Sequence, residues 1–263
     1  MASGVTDRFR LDGKTVVVTG AGPGIGSHVS RAYASVGARI VVCARNADRV
    51  RALADEIVAR GGRAVGVPGD IGAKETIDRV LATANDEFGS VDVIFHNAAA
   101  GTGQHAGCSL DLSEDDWTSA INVNLLAPFR LAQAVVPGMR ACGSGSVINV
   151  LSTAAFTPVT TVPLAAYGAT KAALAMLTRY LAKECAPEVR VNAICPGTIA
   201  ADLESAKVRS GQRAWEALMS QVPLERVGQA EEVVGAALYL ASEASSYVTG
   251  QVMFVDGGRV NAA

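Results

Sequence analysis

Along the chain, short unbroken runs of β-branched and other apolar residues alternate with longer stretches whose apolar positions recur at helical spacing. The runs read as strands at Thr15–Thr19, Arg39–Cys43, Ala64–Val67, Val91–Phe95, Ser146–Leu151, Val189–Ile194 and Gln251–Val255. Most are apolar on consecutive positions, the pattern of strands covered on both faces. Helical spacing falls near residues 26–36, 47–60, 74–88, 114–140, 166–185 and 230–242, and Ser113 with Asp116 gives the fourth of these a capped start. This rhythm predicts an α/β fold, a doubly wound parallel sheet with right-handed crossovers and helices on both faces. No Pro/Ser-rich linker, low-complexity tract or internal repeat interrupts it, so residues 1–263 read as one domain.

Composition narrows the classes. Of 263 residues, 49% are hydrophobic and 18% charged, a balance that supplies a sizeable core and is the opposite of a disordered chain. A net charge of -2 offers no basic field, which argues against nucleic acid or an acidic membrane surface as the main partner. No stretch approaches the roughly 20 apolar residues of a bilayer span, and the first ten residues hold no apolar core of signal-peptide length. Cys43, Cys108, Cys142, Cys185 and Cys195 form no CxxC pair and leave an odd count. Free thiols in a reducing cytosol follow, and a cytoplasmic protein is expected.

Ligands of such sheets sit beyond the carboxyl ends of the strands, near the point where strand order reverses. After the first strand comes Thr19-Gly20-Ala21-Gly22-Pro23-Gly24-Ile25-Gly26, leading into a helix. Glycines there let the backbone approach a ligand, and the helix start offers N–H groups and a positive dipole end to a pyrophosphate. A Walker loop would need a lysine that Gly26-Ser27-His28 lacks, and GxGxxG does not fit glycines at 20, 22, 24 and 26. What fits is TGxxxGxG, at Thr19, Gly20, Gly24 and Gly26. The second strand ends Val42-Cys43-Ala44-Arg45-Asn46, with no carboxylate for a ribose 2′-hydroxyl. Arg45 suits a 2′-phosphate instead, favouring NADP(H) over NAD(H), which stays possible; its other reading is a solvated helix-start residue.

The chemical candidates lie later. Tyr167-Gly168-Ala169-Thr170-Lys171 puts a phenol and an ammonium on one helical face. A free tyrosine titrates near pH ~10, and a neighbouring cation is expected to stabilise the phenolate. Ser152, at the end of the fifth strand, can donate to a substrate oxygen; Thr153 is the weaker substitute. YxxxK by itself is a common surface pattern, so its weight comes from this company.

TGxxxGxG with Ser152, Tyr167 and Lys171 resembles the compact, single-domain branch of the short-chain dehydrogenase/reductase family, over Leu11 to Gly258. The resemblance implies a single Rossmann-type sheet of about seven strands and a hydride transfer between a nicotinamide and a secondary alcohol or ketone. It implies Tyr167 as general acid/base, Ser152 polarising the carbonyl, Lys171 on the nicotinamide ribose and Asn124 holding a relay water. Its cofactor contacts map onto Gly20, Gly24, Ile25, Gly26, Arg45, Asp70, Ile71, Asn97, Ala98, Tyr167, Lys171, Pro196, Gly197 and Ile199. Asp70 alone would read as a turn residue after Pro68-Gly69. Departures are His96 and Ala99 around Asn97-Ala98, Leu151 where a second serine is common, Ala201 for a threonine, and a longer loop before Tyr167. Asp256 matches a position of structural and assembly importance, residues 198–222 an expected substrate cover, and the assembly is expected to be a homotetramer.

No metal is expected, since His96 shows no ligand spacing with His28 or His105. Two other readings are an epimerase or dehydratase relative and a nucleotide-binding regulator that has lost catalysis. The glycine spacing opposes the first and the intact set Asn124, Ser152, Tyr167 and Lys171 the second. Substrate-lining segments Ala99–Leu112, Ala154–Ala166 and Thr198–Val222 are small and apolar with few charges, which predicts an uncharged or weakly polar carbonyl or alcohol.

Overall fold

Alternate valines of the first strand face opposite sides of a sheet, and each side is apolar. In the computed structural model, which describes residues 4–101, 108–158, 164–200, 215–216 and 219–260, β1 (Thr15–Thr19) is buried at every position. Val16 and Val18 join Ile40 and Val42 in one core layer, whereas Val17 joins Val41 and Ile94 in another. That is the period-two consequence of a pleated strand covered twice. Each buried valine contributes about 2 kcal/mol.

Seven parallel strands form the sheet, in the order β3 (Arg63–Pro68), β2 (Arg39–Ala44), β1, β4 (Val93–His96), β5 (Gly145–Val150), β6 (Val189–Pro196) and β9 (Val252–Val255). A separate two-stranded piece pairs β7 (Ile199–Ala200) with β8 (Gly228–Gln229). On the first face lie α1 (Ile25–Ser35), α2 (Ala47–Ala59) and a late helix, α7 (Ala230–Ala241); on the second lie α3 (Lys74–Phe88), α5 (Ala127–Ala141) and part of α6 (Ala165–Cys185). The order reverses at β1, which has β2 on one side and β4 on the other, and that opens a crevice at the strand ends.

Most expected boundaries move by a residue or two, and two of the differences have a local cause. The fourth strand starts at Val93, not Val91, because the Asp92 carboxylate takes the Thr15 N–H at 2.8 Å and the Lys14 ammonium at 3.2 Å. The helix expected over 114–140 is interrupted: α4 (Glu114–Ile121) passes through a wide π-type turn, Asn122–Leu126, before α5. Such a turn adds one residue to a helical repeat and marks functional sites in many helices. Among the described residues no helix is long and apolar enough to cross a membrane.

Candidate active site

Three strand ends build the crevice. The Thr19 hydroxyl accepts the N–H groups of Asn97 and Ala98, both at 3.2 Å, and Asn97 Nδ2 donates to the Gly20 carbonyl at 2.8 Å. These bonds clamp the loop after β1 to the loop after β4. A Cβ on Gly20 would sit 2.6 Å from Ala98 Cα, and one on Gly26 2.3 Å from the Gly20 oxygen. Those two glycines are therefore required for backbone packing, whereas a Cβ on Gly22 would meet nothing within 4 Å. Ile25 opens α1 and is partly buried against the core.

The resulting cleft holds about 400 Å³ and is lined by Gly20, Gly22, Arg45, Arg49, Asp70, Ile71, Asn97 and Ala98 among others. Gly24 caps α1 with no side-chain bond, so the first N–H groups of the helix stay open to an anion. A glycine floor, an uncapped helix start and two guanidinium groups fit a dinucleotide. Asp70 lines the cleft, and its Oδ1 accepts the Gly72 N–H at 2.9 Å as a turn residue does.

Arg49 escaped the sequence reading. Asn46 caps α2, accepting the Arg49 N–H at 2.9 Å, and the helical turn that follows sets Arg49 on the cleft wall with Arg45. The signal was present as a four-residue spacing across a predicted helix start.

Ser152 and Tyr167 meet beyond β5. Ser152 is extended, and its Oγ accepts the Ala154 N–H at 3.2 Å. Burial raises the Tyr167 phenol above its ordinary range, and the Ser152 hydroxyl within bonding reach offsets part of that. Lys171, one turn along α6, is fully buried, and its Nζ donates to the Val150 carbonyl at 2.7 Å, 5.7 Å from the centre of the Tyr167 ring. Burial pushes this amine down to about 8. The expectation that the cation lowers the phenol is thus reversed here: desolvation dominates, and Tyr167 holds its proton.

Asn124 is wholly buried in the wide turn. Its Oδ1 accepts the Ala100 N–H at 2.9 Å, and its Nδ2 donates to the Ala100 carbonyl and to Thr170 Oγ1, both at 3.0 Å. Both amide protons are committed to protein, so this side chain ties the loop after β4 to α6. His96, also fully buried, has no partner for either ring nitrogen among the described residues. Burial first, and then the Lys171 charge, push the imidazole down to about 3, so it is neutral.

The remaining candidates lie elsewhere. Gly197 and Ile199 line a second recess of about 440 Å³ with Val222 and Asp256, and Pro196 is buried as the last residue of β6. A Cβ on Gly197 would lie 2.7 Å from Asp256 Cα, which gives that glycine a packing role. Ala201 and His105, like most of the expected cover, lie outside the described residues.

Residues 20–259 match the family model described as enoyl-(acyl carrier protein) reductase. The chain is 34% identical over 258 residues to the human dehydrogenase/reductase SDR family member 4, covering 98% of this chain and 91% of that one. Among solved structures, a gluconate 5-dehydrogenase from Burkholderia cenocepacia in complex with NADP and tartrate superposes with a TM-score of 0.89 at 34% identity, covering 99% of this chain and 100% of the other. A 7α-hydroxysteroid dehydrogenase complexed with NADH and 7-oxo glycochenodeoxycholic acid gives a TM-score of 0.88 at 33% identity, with 96% of each chain covered.

Proposed function

Because the chain belongs to the short-chain dehydrogenase/reductase family and is an NAD(P)-dependent oxidoreductase, we propose that Tyr167, Ser152 and Lys171 form its catalytic centre for interconverting a secondary alcohol and a ketone. The convergence of the Ser152 and Tyr167 hydroxyls above a buried ammonium carries this reading. When bound, the reduced nicotinamide supplies the hydride.

The chain's own groups handle the oxygen. With one lone pair of Ser152 Oγ engaged by Ala154, its hydroxyl can donate to a substrate oxygen and stabilise developing charge. A phenol whose pKa is raised by burial keeps its proton at neutral pH, as a general acid for ketone reduction must. Lys171, at about 8, is close enough to operating pH to lose and regain a proton. Asn124 contributes by fixing the loop that carries Asn97 and Ala98.

Arg45 and Arg49 on one wall favour NADP(H) over NAD(H), since both can pair with a 2′-phosphate. All five cysteines are free thiols, which supports a reducing, cytoplasmic setting. Exposed apolar side chains on α4 to α6 support a homo-oligomer.

Tyr167→Phe tests the centre. Turnover should drop by at least about 10³-fold, with the dissociation constant for NADPH within about threefold of wild type. Substantial retained turnover removes Tyr167 from its role.

A further inference from the structure

Beyond β9 the chain turns back on itself. Asp256 Oδ1 accepts the Gly258 N–H and Oδ2 the Val260 N–H, both at 2.9 Å, while Gly257 and Gly258 take φ values of +66° and +88°. A Cβ on Gly257 would lie 2.8 Å from Val222 Cγ1 and one on Gly258 3.0 Å from Pro223 Cγ. Only glycines allow this reversal to pack so tightly.

The reversal returns Arg259 to the catalytic end of the sheet, 107 residues after Ser152 in sequence (259 minus 152). Its Nη1 donates to Thr153 Oγ1 at 3.3 Å and its Nη2 to Gln221 Oε1 at 3.4 Å. Thr153 is buried and opens the short turn that Ser152 caps. Arg259 Nε is itself buried and has no partner among the described residues. Among the described residues no carboxylate forms an ion pair with this guanidinium; Asp256, the nearby acid, has both oxygens engaged by backbone N–H groups. Both bonds that Arg259 makes are long and to neutral oxygens. A half-buried guanidinium with an unmatched donor is costly, and its planar fork matches a carboxylate.

We propose that Arg259 binds a carboxylate of the substrate, so that the enzyme acts on oxo or hydroxy acids in preference to their neutral counterparts. This rests on the Ser152–Tyr167 centre, whose serine begins the turn that Arg259 touches. It departs from the expectation of an uncharged substrate, which considered the loops after the fourth, fifth and sixth strands and left out the end of the chain. Asp256 then acts as a positioning residue: its two bonds set the turn that aims Arg259.

The test pairs acids with esters. NADPH-dependent reduction of pyruvate, acetoacetate and levulinate is measured against each methyl ester, for wild type, Arg259→Met and Arg259→Lys. Wild type should favour at least one acid over its ester by about tenfold or more in kcat/KM. Arg259→Met should lose about 100-fold on that acid, mainly through KM, because it leaves the anion unpaired. Its ester rates should stay within about twofold of wild type, and Arg259→Lys should fall between. Equal losses on acid and ester, or a wild-type preference for esters, overturns the proposal. If none of the six is reduced, malonate decides: it should raise the melting temperature of NADP-loaded wild type and not of Arg259→Met, and equal shifts reject the site. Tyr167→Phe separates the two claims, since failure of the catalytic reading leaves turnover in that variant while the acid preference persists.

Discussion

Lys171 places a cation where water cannot reach it, bonded among the described residues to the Val150 carbonyl alone. Its folded-state pKa, about 8, lies below its ordinary 10.5. Between those values the unfolded chain binds the proton more readily, so stability rises with pH through that window, and below pH 8 the cost is present in full. The gross cost is about 3 kcal/mol, offset by about 1 kcal/mol from the bond to Val150. Lys171→Met should therefore abolish most turnover yet raise the melting temperature at pH 7 by about 2 to 5 °C. Melts at pH 7 and pH 10 check this, because the gain should shrink toward zero at the higher value. A lower melting temperature at pH 7 means that the carbonyl bond outweighs desolvation. The same burial that lowers the amine raises the Tyr167 phenol, so opposite directions at neighbouring residues have one cause. YxxxK could be seen in the sequence; the depth of its burial could not, because it depends on β5 and the loop after β4 closing over α6.

At the scale of elements, strands were legible because double burial leaves unbroken apolar runs, and β1 falls on Thr15–Thr19 as the pattern predicts. The interruption of the fourth helix was not, since a π-type turn shifts hydrogen bonds without changing which residue types are apolar. Asn124 sits within that turn. Asn124→Ala removes three bonds from a buried site and should destabilise the protein by about 2 to 4 kcal/mol. It should also loosen the loop bearing Asn97 and Ala98, so NADPH affinity and kcat fall together. A fall in kcat with affinity intact would return Asn124 to the relay role. The start of α2 makes a second case. Arg45→Asp should lower the NADPH-to-NADH affinity ratio by about tenfold, and adding Arg49→Glu by about tenfold more. Calorimetric titration with each cofactor reads the ratio directly, and an unchanged ratio in the double variant clears both arginines of a phosphate role.

For the molecule as a whole, long-range placement is what the sequence withheld. Arg259 reaches Thr153 only because the sheet order puts β9 beside β6 and β6 beside β5, and no local pattern encodes that adjacency. Quaternary structure is equally non-local, yet the outer faces of the helices bear on it. Trp117 and Ile121 on α4 are each 37% exposed, and Met176 and Tyr180 on α6 are 50% and 61% exposed. Each pair is four apart, so each lies along one helical stripe, and α4 packs against α6. Large apolar side chains at this spacing on adjacent helices are the makings of a self-complementary interface. Met176→Glu with Tyr180→Glu puts two like charges into that face, which a second copy would have to desolvate unpaired at several kcal/mol. Light scattering after gel filtration should show wild type as a multiple of the 27.0 kDa chain and the double variant shifted toward one chain, with circular dichroism unchanged. An oligomer of the same mass in the variant would place the interface on another face, and the two edge strands of the sheet, β3 and β9, are then the next surfaces to test.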